Sequence, residues 1–260
     1  MPRFERHPER RPTVVTGASS GIGEATARAL AAAGHPVALG ARRVERCEEI
    51  AAGIRADGGE AVALELDVAD ADVVKAFVAA ATDAFGPIEI AVSGAGDLDP
   101  ALIHEQDSEA FLRSVDVHLV GTHRLVAEIV PGMVTRRRGD VVFIGSDVVR
   151  SPRPRVGGYV SAKSGVEAMA RTMQMELEGT GVRASIVRPG PTQTSMGMDW
   201  DESVAGPLLE DWARWGFARH PYFLRASDIA AAVSTVVSAP RGVNFTLVEV
   251  EPEAPLAEQD

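Results

Sequence analysis

The sequence predicts an α/β protein, a single domain built on a doubly wound parallel sheet of about seven strands with helices on both faces. Three observations carry that expectation. Short apolar runs alternate with longer stretches of helical period along nearly the whole chain. A glycine-rich turn follows the first of those runs. The 260 residues, 45% of them hydrophobic, suffice for one large core and are few for two.

The apolar runs are Thr13 to Thr16, Val37 to Leu39, Ala61 to Leu66, Ile88 to Val92, Val141 to Ile144, Val182 to Val187 and Phe245 to Val250. Strands separated by helices imply parallel pairing, and in such a sheet the ligand lies outside the carboxyl ends of the strands where the winding reverses. A helix is expected from about Glu109 to Thr135, ending near Gly139, with Phe111, Val115, Leu119, Thr122, Val126 and Ile129 on one stripe and His118 on or beside it. Val166, Met169, Met173 and Leu177 form the buried stripe of another helix. Residues 192–226 have weak periodicity and read as an excursion that covers a site. Trp200, Trp212 and Trp215 fall there with Phe217, Tyr222 and Phe223, which fits either a wall over an apolar substrate or rings that pack the loop or an interface.

Composition narrows the function classes. A net charge of -11 repels nucleic-acid phosphate, and the basic runs Arg136 to Arg138 and Arg150 to Arg155 are short, so no nucleic-acid partner is expected. No apolar run is long enough to span a membrane. Cys47 is the only cysteine, which leaves no internal disulfide and no cysteine-rich metal site. The opening MPRFERHPERRP lacks an apolar signal core and reads as a solvated leader, and a cytoplasmic location is the simplest reading.

The glycine turn is Thr16-Gly17-Ala18-Ser19-Ser20-Gly21-Ile22-Gly23, between a strand and an alanine-rich helix. Glycines let backbone approach a pyrophosphate, and free amides at a helix start complement its charge. Further on, Tyr159 and Lys163 stand four residues apart at the start of a helix, hence on one face. An ammonium there is expected to lower the phenol pKa toward the range useful for acid-base work.

These segments resemble the short-chain dehydrogenase/reductase family, whose cofactor loop has the pattern TGxxxGxG and whose Rossmann-type sheet binds a nicotinamide dinucleotide. The resemblance divides the chain into a flexible leader over 1–11, an NAD(P)-binding domain over 12–252 that includes the substrate loop 192–226, and a tail over 253–260. It implies hydride transfer between nicotinamide and a carbonyl or secondary alcohol, with Tyr159 exchanging the proton, Ser146 orienting the substrate oxygen and Lys163 also holding the nicotinamide ribose. No metal is implied. The cofactor residues it implies are Gly17, Ser19, Ser20, Gly21, Ile22 and Gly23 in the loop, Asp67 and Val68 after the third strand, Ala95 and Gly96 after the fourth, Tyr159 and Lys163, and Pro189, Gly190, Thr192 and Thr194 after the sixth.

The chain departs from the family at Ser93-Gly94, where the family has two asparagines, and at His118, where it has the asparagine that helps hold a proton-relaying water. An imidazole supplies a modified relay that titrates between about pH 5 and 8, or simply packs in the core. Ala41 stands where NAD-preferring members carry an acid, and Arg42 follows with a guanidinium suited to phosphate, so NADP(H) is favoured and NAD(H) is the alternative; the arginines also fit the solvated start of a helix. The family resemblance further implies a homodimer or homotetramer. The missing asparagines keep open a second class, a cofactor-binding regulator or interaction protein with little turnover.

Overall fold

All seven predicted strands form, and they lie in one parallel sheet. The computed structural model describes residues 5–196, 200–217 and 220–256. The elements run β1 (Thr13–Thr16), α1 (Gly21–Ala32), β2 (Val37–Ala41), α2 (Val44–Ala56), β3 (Ala61–Glu65), α3 (Ala71–Phe85), β4 (Ile90–Ser93), α4 (Ser108–Val115), α5 (Gly121–Arg136), β5 (Gly139–Ile144), α6 (Gly157–Glu176), β6 (Val182–Pro189), β7 (Thr192–Gln193), α7 (Glu202–Arg214), β8 (Leu224–Arg225), α8 (Ala226–Ser238) and β9 (Leu247–Val250). The sheet order is β3-β2-β1-β4-β5-β6-β9, each pair parallel. β1, β2 and β5 are buried along their whole length, which explains why they read as continuous apolar runs rather than alternating ones.

Two apolar layers sandwich the sheet. Leu30, Ile50, Ile229 and Val233 of α1, α2 and α8 cover one face. Phe77, Leu125, Met133, Val166 and Met173 of α3, α5 and α6 cover the other. Among the described residues no helix is long and apolar enough to cross a membrane.

The long helix expected from Glu109 to Thr135 carries a π-helical turn, Asp116–Val120, between α4 and α5. The backbone stays right-handed helical on both sides, at Asp116 and Gly121. The turn therefore admits an extra residue without ending the helix, a feature often found at functional sites. α5 ends at Arg136, where Arg137 turns left-handed at φ 57°, just ahead of Gly139. The 192–226 excursion contains more order than its periodicity suggests: β7 and β8 pair across its neck, and α7 lies between them.

The leader expected to be solvated over 1–11 is tied down at its end. Arg11 is only 2% exposed, ion-paired with Asp140 and lying 3.7 Å from Glu89. Those acids sit buried at the amino ends of β5 and β4, where Arg138 and Arg183 also reach them. Buried carboxylates need compensating charge, and the leader supplies part of it. The basic runs are likewise consumed internally: Arg138, Arg150, Arg153 and Arg155 each pair with an acid.

Removing one member of such a buried cluster leaves charge uncompensated, so Arg11→Met is expected to cost about 3 kcal/mol of unfolding free energy. A urea denaturation curve checks this through its midpoint at constant slope. A loss below about 0.5 kcal/mol would mean that Arg138 and Arg183 neutralise the acids without the leader.

Candidate active site

The chain winds from β1 through β2 to β3, then returns to β4 on the other side of β1. The loops leaving β1 and β4 diverge, and a cavity of about 1340 Å³ opens at the carboxyl ends of the strands. Its two rims are stitched together. The Thr16 hydroxyl accepts hydrogen bonds from the amides of Gly94 and Ala95, both at 3.1 Å. Gly17 has φ +70°, and a Cβ there would lie 2.8 Å from the Gly94 carbonyl oxygen, so a side chain at this position would force the rims apart.

Gly17, Ser19, Ser20, Gly21, Ile22 and Gly23 all line the groove, with the loop amides at the start of α1. At its far end stand Ala41, Arg42 and Arg43, with Asp67 and Val68 beside them. Arg43 donates to the hydroxyls of both Ser19 and Ser20 at 3.0 Å. Ala95 and Gly96 line the opposite wall, and Pro189, Gly190, Thr192 and Thr194 line the segment after β6. That segment folds back on the glycine loop, with the Ser195 hydroxyl donating to that of Ser20 at 3.1 Å. Glycine backbone, a helix start and two guanidinium groups in one groove are a donor set that fits a dinucleotide.

Ser146, Tyr159, Lys163 and His118 meet at the other end of the groove. β5 delivers Ser146, whose backbone is extended and whose hydroxyl accepts from the Val148 amide at 3.4 Å. α6 delivers Tyr159 and Lys163 one turn apart. Lys163 is buried and its ammonium donates to the Ile144 carbonyl at 2.8 Å. Burial drags its pKa down to about 8, against the pull of Glu167.

The expected lowering of the Tyr159 pKa does not occur. Burial pushes the phenol up to about 12, and the nearby Ser146 hydroxyl only partly offsets this. The Lys163 ammonium lies over the ring, 5.7 Å from its centroid, and desolvation of the phenolate prevails. Tyr159 thus keeps its proton at neutral pH.

For His118 the structure agrees with the packing alternative rather than with a titrating relay. The π-helical turn buries it to 1% exposure. Its Nε2 donates to the Asp97 carbonyl at 2.8 Å, and its ring meets Tyr159 edge-on at 5.1 Å between centroids. Burial first, and the Lys163 charge second, push its pKa down to about 3. With its pKa so lowered the ring is neutral from pH 5 to 8, which speaks against a relay that works by changing charge in that range.

The family model described as short chain dehydrogenase matches residues 11–205. This chain is a short-chain dehydrogenase/reductase, and hence an oxidoreductase. It is 36% identical over 240 residues to the glycine betaine reductase ATRR of Emericella nidulans, covering 92% of this chain but only 18% of that much longer protein. It is 32% identical over 232 residues to the 2,3-dihydro-2,3-dihydroxybenzoate dehydrogenase of Bacillus subtilis, covering 88% of this chain and 89% of that one. An alcohol dehydrogenase from the archaeon Thermococcus sibiricus, solved with 5-hydroxy-NADP, superposes with a TM-score of 0.80 at 31% identity over 95% of this chain and 100% of its own.

Of the two positions where this short-chain dehydrogenase/reductase lacks asparagine, Gly94 lines the groove and Ser93 does not. Ser93 faces away from the groove and donates to the Thr122 hydroxyl at 2.8 Å, which in turn donates to the His118 carbonyl at 2.6 Å. Sequence reasoning missed Arg43, Asp147 and Arg153. Asp147 follows Ser146 directly, and burial raises its pKa despite the ion pair with Arg153. Arg153 lies over Trp212, 4.9 Å from the ring centroid. The signal was present, since the basic run from Arg150 to Arg155 lies between Ser146 and Tyr159 and cannot be far from either. Of the three tryptophans, Trp200 and Trp212 line the cavity, whereas Trp215 is 68% exposed.

Gly96 has no room for a side chain, because a Cβ would overlap the His118 ring and come within 2.6 Å of its Nδ1. Gly96→Ala is expected to displace that ring from Tyr159 and lower kcat by at least about 10-fold, comparable to misplacing an acid-base group. Steady-state rates beside an unchanged circular dichroism spectrum check it; wild-type kcat would mean that Tyr159 does not depend on the ring.

Proposed function

We propose that this oxidoreductase prefers NADP(H) and acts on a bulky, apolar carbonyl compound or secondary alcohol, with Tyr159 exchanging the proton at the substrate oxygen. One observation carries the reading. The protonated Tyr159 phenol and the Ser146 hydroxyl line the same cavity as the glycine loop and as Trp200, Leu208, Leu209, Trp212, Tyr222 and Phe223. Aromatic and aliphatic walls favour an apolar ligand body, and the few polar groups at one end favour a single oriented oxygen.

A bound nicotinamide supplies or accepts the hydride. In the reductive direction Ser146 and Tyr159 hydrogen-bond the carbonyl oxygen, and the Tyr159 proton neutralises it as charge develops. In the oxidative direction the same phenol must first lose its proton. Lys163 spends one of its donors on Ile144 and has others for a ribose hydroxyl. Its positive charge, in a buried site, favours negative charge on a nearby oxygen. His118, neutral and bonded to Asp97, serves as a brace for the Tyr159 ring.

Arg42 and Arg43 support the preference for NADP(H), since Ala41 places no carboxylate against a 2'-phosphate and two guanidinium groups line that end. The Thermococcus relative was solved with an NADP derivative. Exposed Leu112 on α4 and Met175 on α6 suit the homo-oligomer that the family resemblance implies. Light scattering at micromolar concentration tests that assembly, and a monomer would contradict it.

Tyr159→Phe keeps the ring and removes the transferable proton. It is expected to retain cofactor affinity while losing about 100-fold to 10,000-fold in turnover. A screen of NADPH consumption against chemically varied ketones finds the substrate on which to measure it, and near-wild-type turnover of the variant would remove Tyr159 from the reaction.

NADPH should bind more tightly than NADH at low ionic strength, and Arg42→Ala with Arg43→Ala should abolish the difference. Fluorescence titration checks both. Equal affinities in the wild type would overturn the assignment.

A further inference from the structure

Directly beneath the reaction centre lies a buried ion pair that the proton-transfer chemistry above does not use. Glu167 stands one turn beyond Lys163 on α6 and is 1% exposed. Arg188, on β6 and 5% exposed, grips it from two nitrogens, Nε at 2.9 Å and Nη2 at 2.5 Å. The carboxylate fills the space under Gly145, where a Cβ would come within 2.7 Å of Glu167 Oε1. Gly145 separates Ile144, whose carbonyl holds the Lys163 ammonium, from Ser146. The acid is therefore packed under the strand end that carries both the lysine's anchor and the serine.

Stability gives little reason for such a pair. Removing two charges from water costs several kcal/mol per ion, and apolar replacements of buried pairs are often neutral or stabilising. Its placement gives a reason. We propose that Glu167, locked by Arg188, is the counter-charge that holds the Lys163 ammonium in the active site, a positioning residue for proton exchange at Tyr159. This rests on the proposed reaction only for its consequence, not for the charge pairing itself.

The surroundings of Lys163 support the assignment. The Glu167 charge acts on it from one turn along α6, the Tyr159 ring lies beside it, the neutral His118 stands on the π-helical turn, and a β5 carbonyl accepts its hydrogen bond. Asp147 and Arg153 act on Tyr159 instead. Glu167 is the one carboxylate that opposes the burial favouring a neutral amine, beside the hydrogen bond to the Ile144 carbonyl. Arg188 fixes the direction of the acid, and is itself balanced by Glu249 at 3.2 Å; beyond it Arg171 lies 3.6 Å from Glu167.

The chain has only two lysines, Lys75 and Lys163, so lysine labelled with carbon-13 at the ε position gives two NMR signals in the intact protein. The Lys75 signal is identified by its loss in Lys75→Arg. The Lys163 midpoint is expected near pH 8 in the wild type. In Glu167→Gln it should fall by about one unit, a tenfold loss of proton affinity, and Glu167→Asp should recover part of the shift. Loss of the protonated form on raising pH then comes earlier, so the alkaline limb of kcat moves to lower pH by the same amount. If Glu167→Gln does not fold, Glu167→Leu with Arg188→Met removes both charges and should still lower the midpoint, by less than Glu167→Gln because a cation is lost with the acid. An unchanged Lys163 midpoint in either folded variant overturns the proposal. The titration needs no substrate, so a wild type that reduces no carbonyl would sink the proposed function and leave this test standing.

Discussion

The gap between β1 and β4 is the constraint on which the rest of the site depends. A sheet wound outward in both directions must part its loops where the winding reverses, and there the backbone is exposed at strand ends without a crossing helix. The chain closes the base of that gap with the Thr16 hydroxyl, which holds the amides of Gly94 and Ala95. With the rims so joined, glycine is required where they approach, at Gly17, and the His118 ring leaves no room for a side chain at Gly96. Ser146 follows the end of β5, and Tyr159 and Lys163 stand in the first two turns of α6, so these side chains sit on rigid supports.

Burial then decides their protonation. Tyr159 and Lys163 are drawn toward their neutral forms by the same loss of water, the phenol up to about 12 and the amine down to about 8. For a proton donor the first shift is helpful, since the phenol holds its proton at neutral pH. For a cation that must stay charged the second is a liability, and a carboxylate one helical turn away counters it. His118 obeys the same rule and becomes a neutral ring that bonds backbone and packs against the tyrosine.

The cover over the site is held by separate contacts. Arg155, left-handed at φ 66°, reaches Asp211 of α7 at 2.7 Å, and the Trp212 indole donates to the Pro154 carbonyl at 3.1 Å. Arg153 lies over Trp212 while paired with Asp147, next to Ser146. The segment between the serine and the tyrosine thus carries the inner face of the chamber and grips α7. α7 itself buries only Leu208 within the chain, so its position depends on these polar latches more than on core packing.

Much of this was legible in the residues. Hydrophobic periodicity places strands and helices because a buried strand needs an apolar run and a half-buried helix needs an apolar stripe. The glycine loop and the spacing of Tyr159 from Lys163 are local geometry, and local geometry is written in adjacent residues. The sequence by itself therefore determined the doubly wound sheet, the groove-forming loop and the face shared by the phenol and the ammonium. Only the tertiary structure decided what depends on water and on distant partners: that Arg11 is core rather than leader, that Arg43 bonds the loop serines, that Tyr159 and His118 shift opposite to or beyond the expected range, and that Glu167 finds Arg188. Each is set by residues far apart in the chain, and by a loss of solvent that no short stretch of sequence specifies.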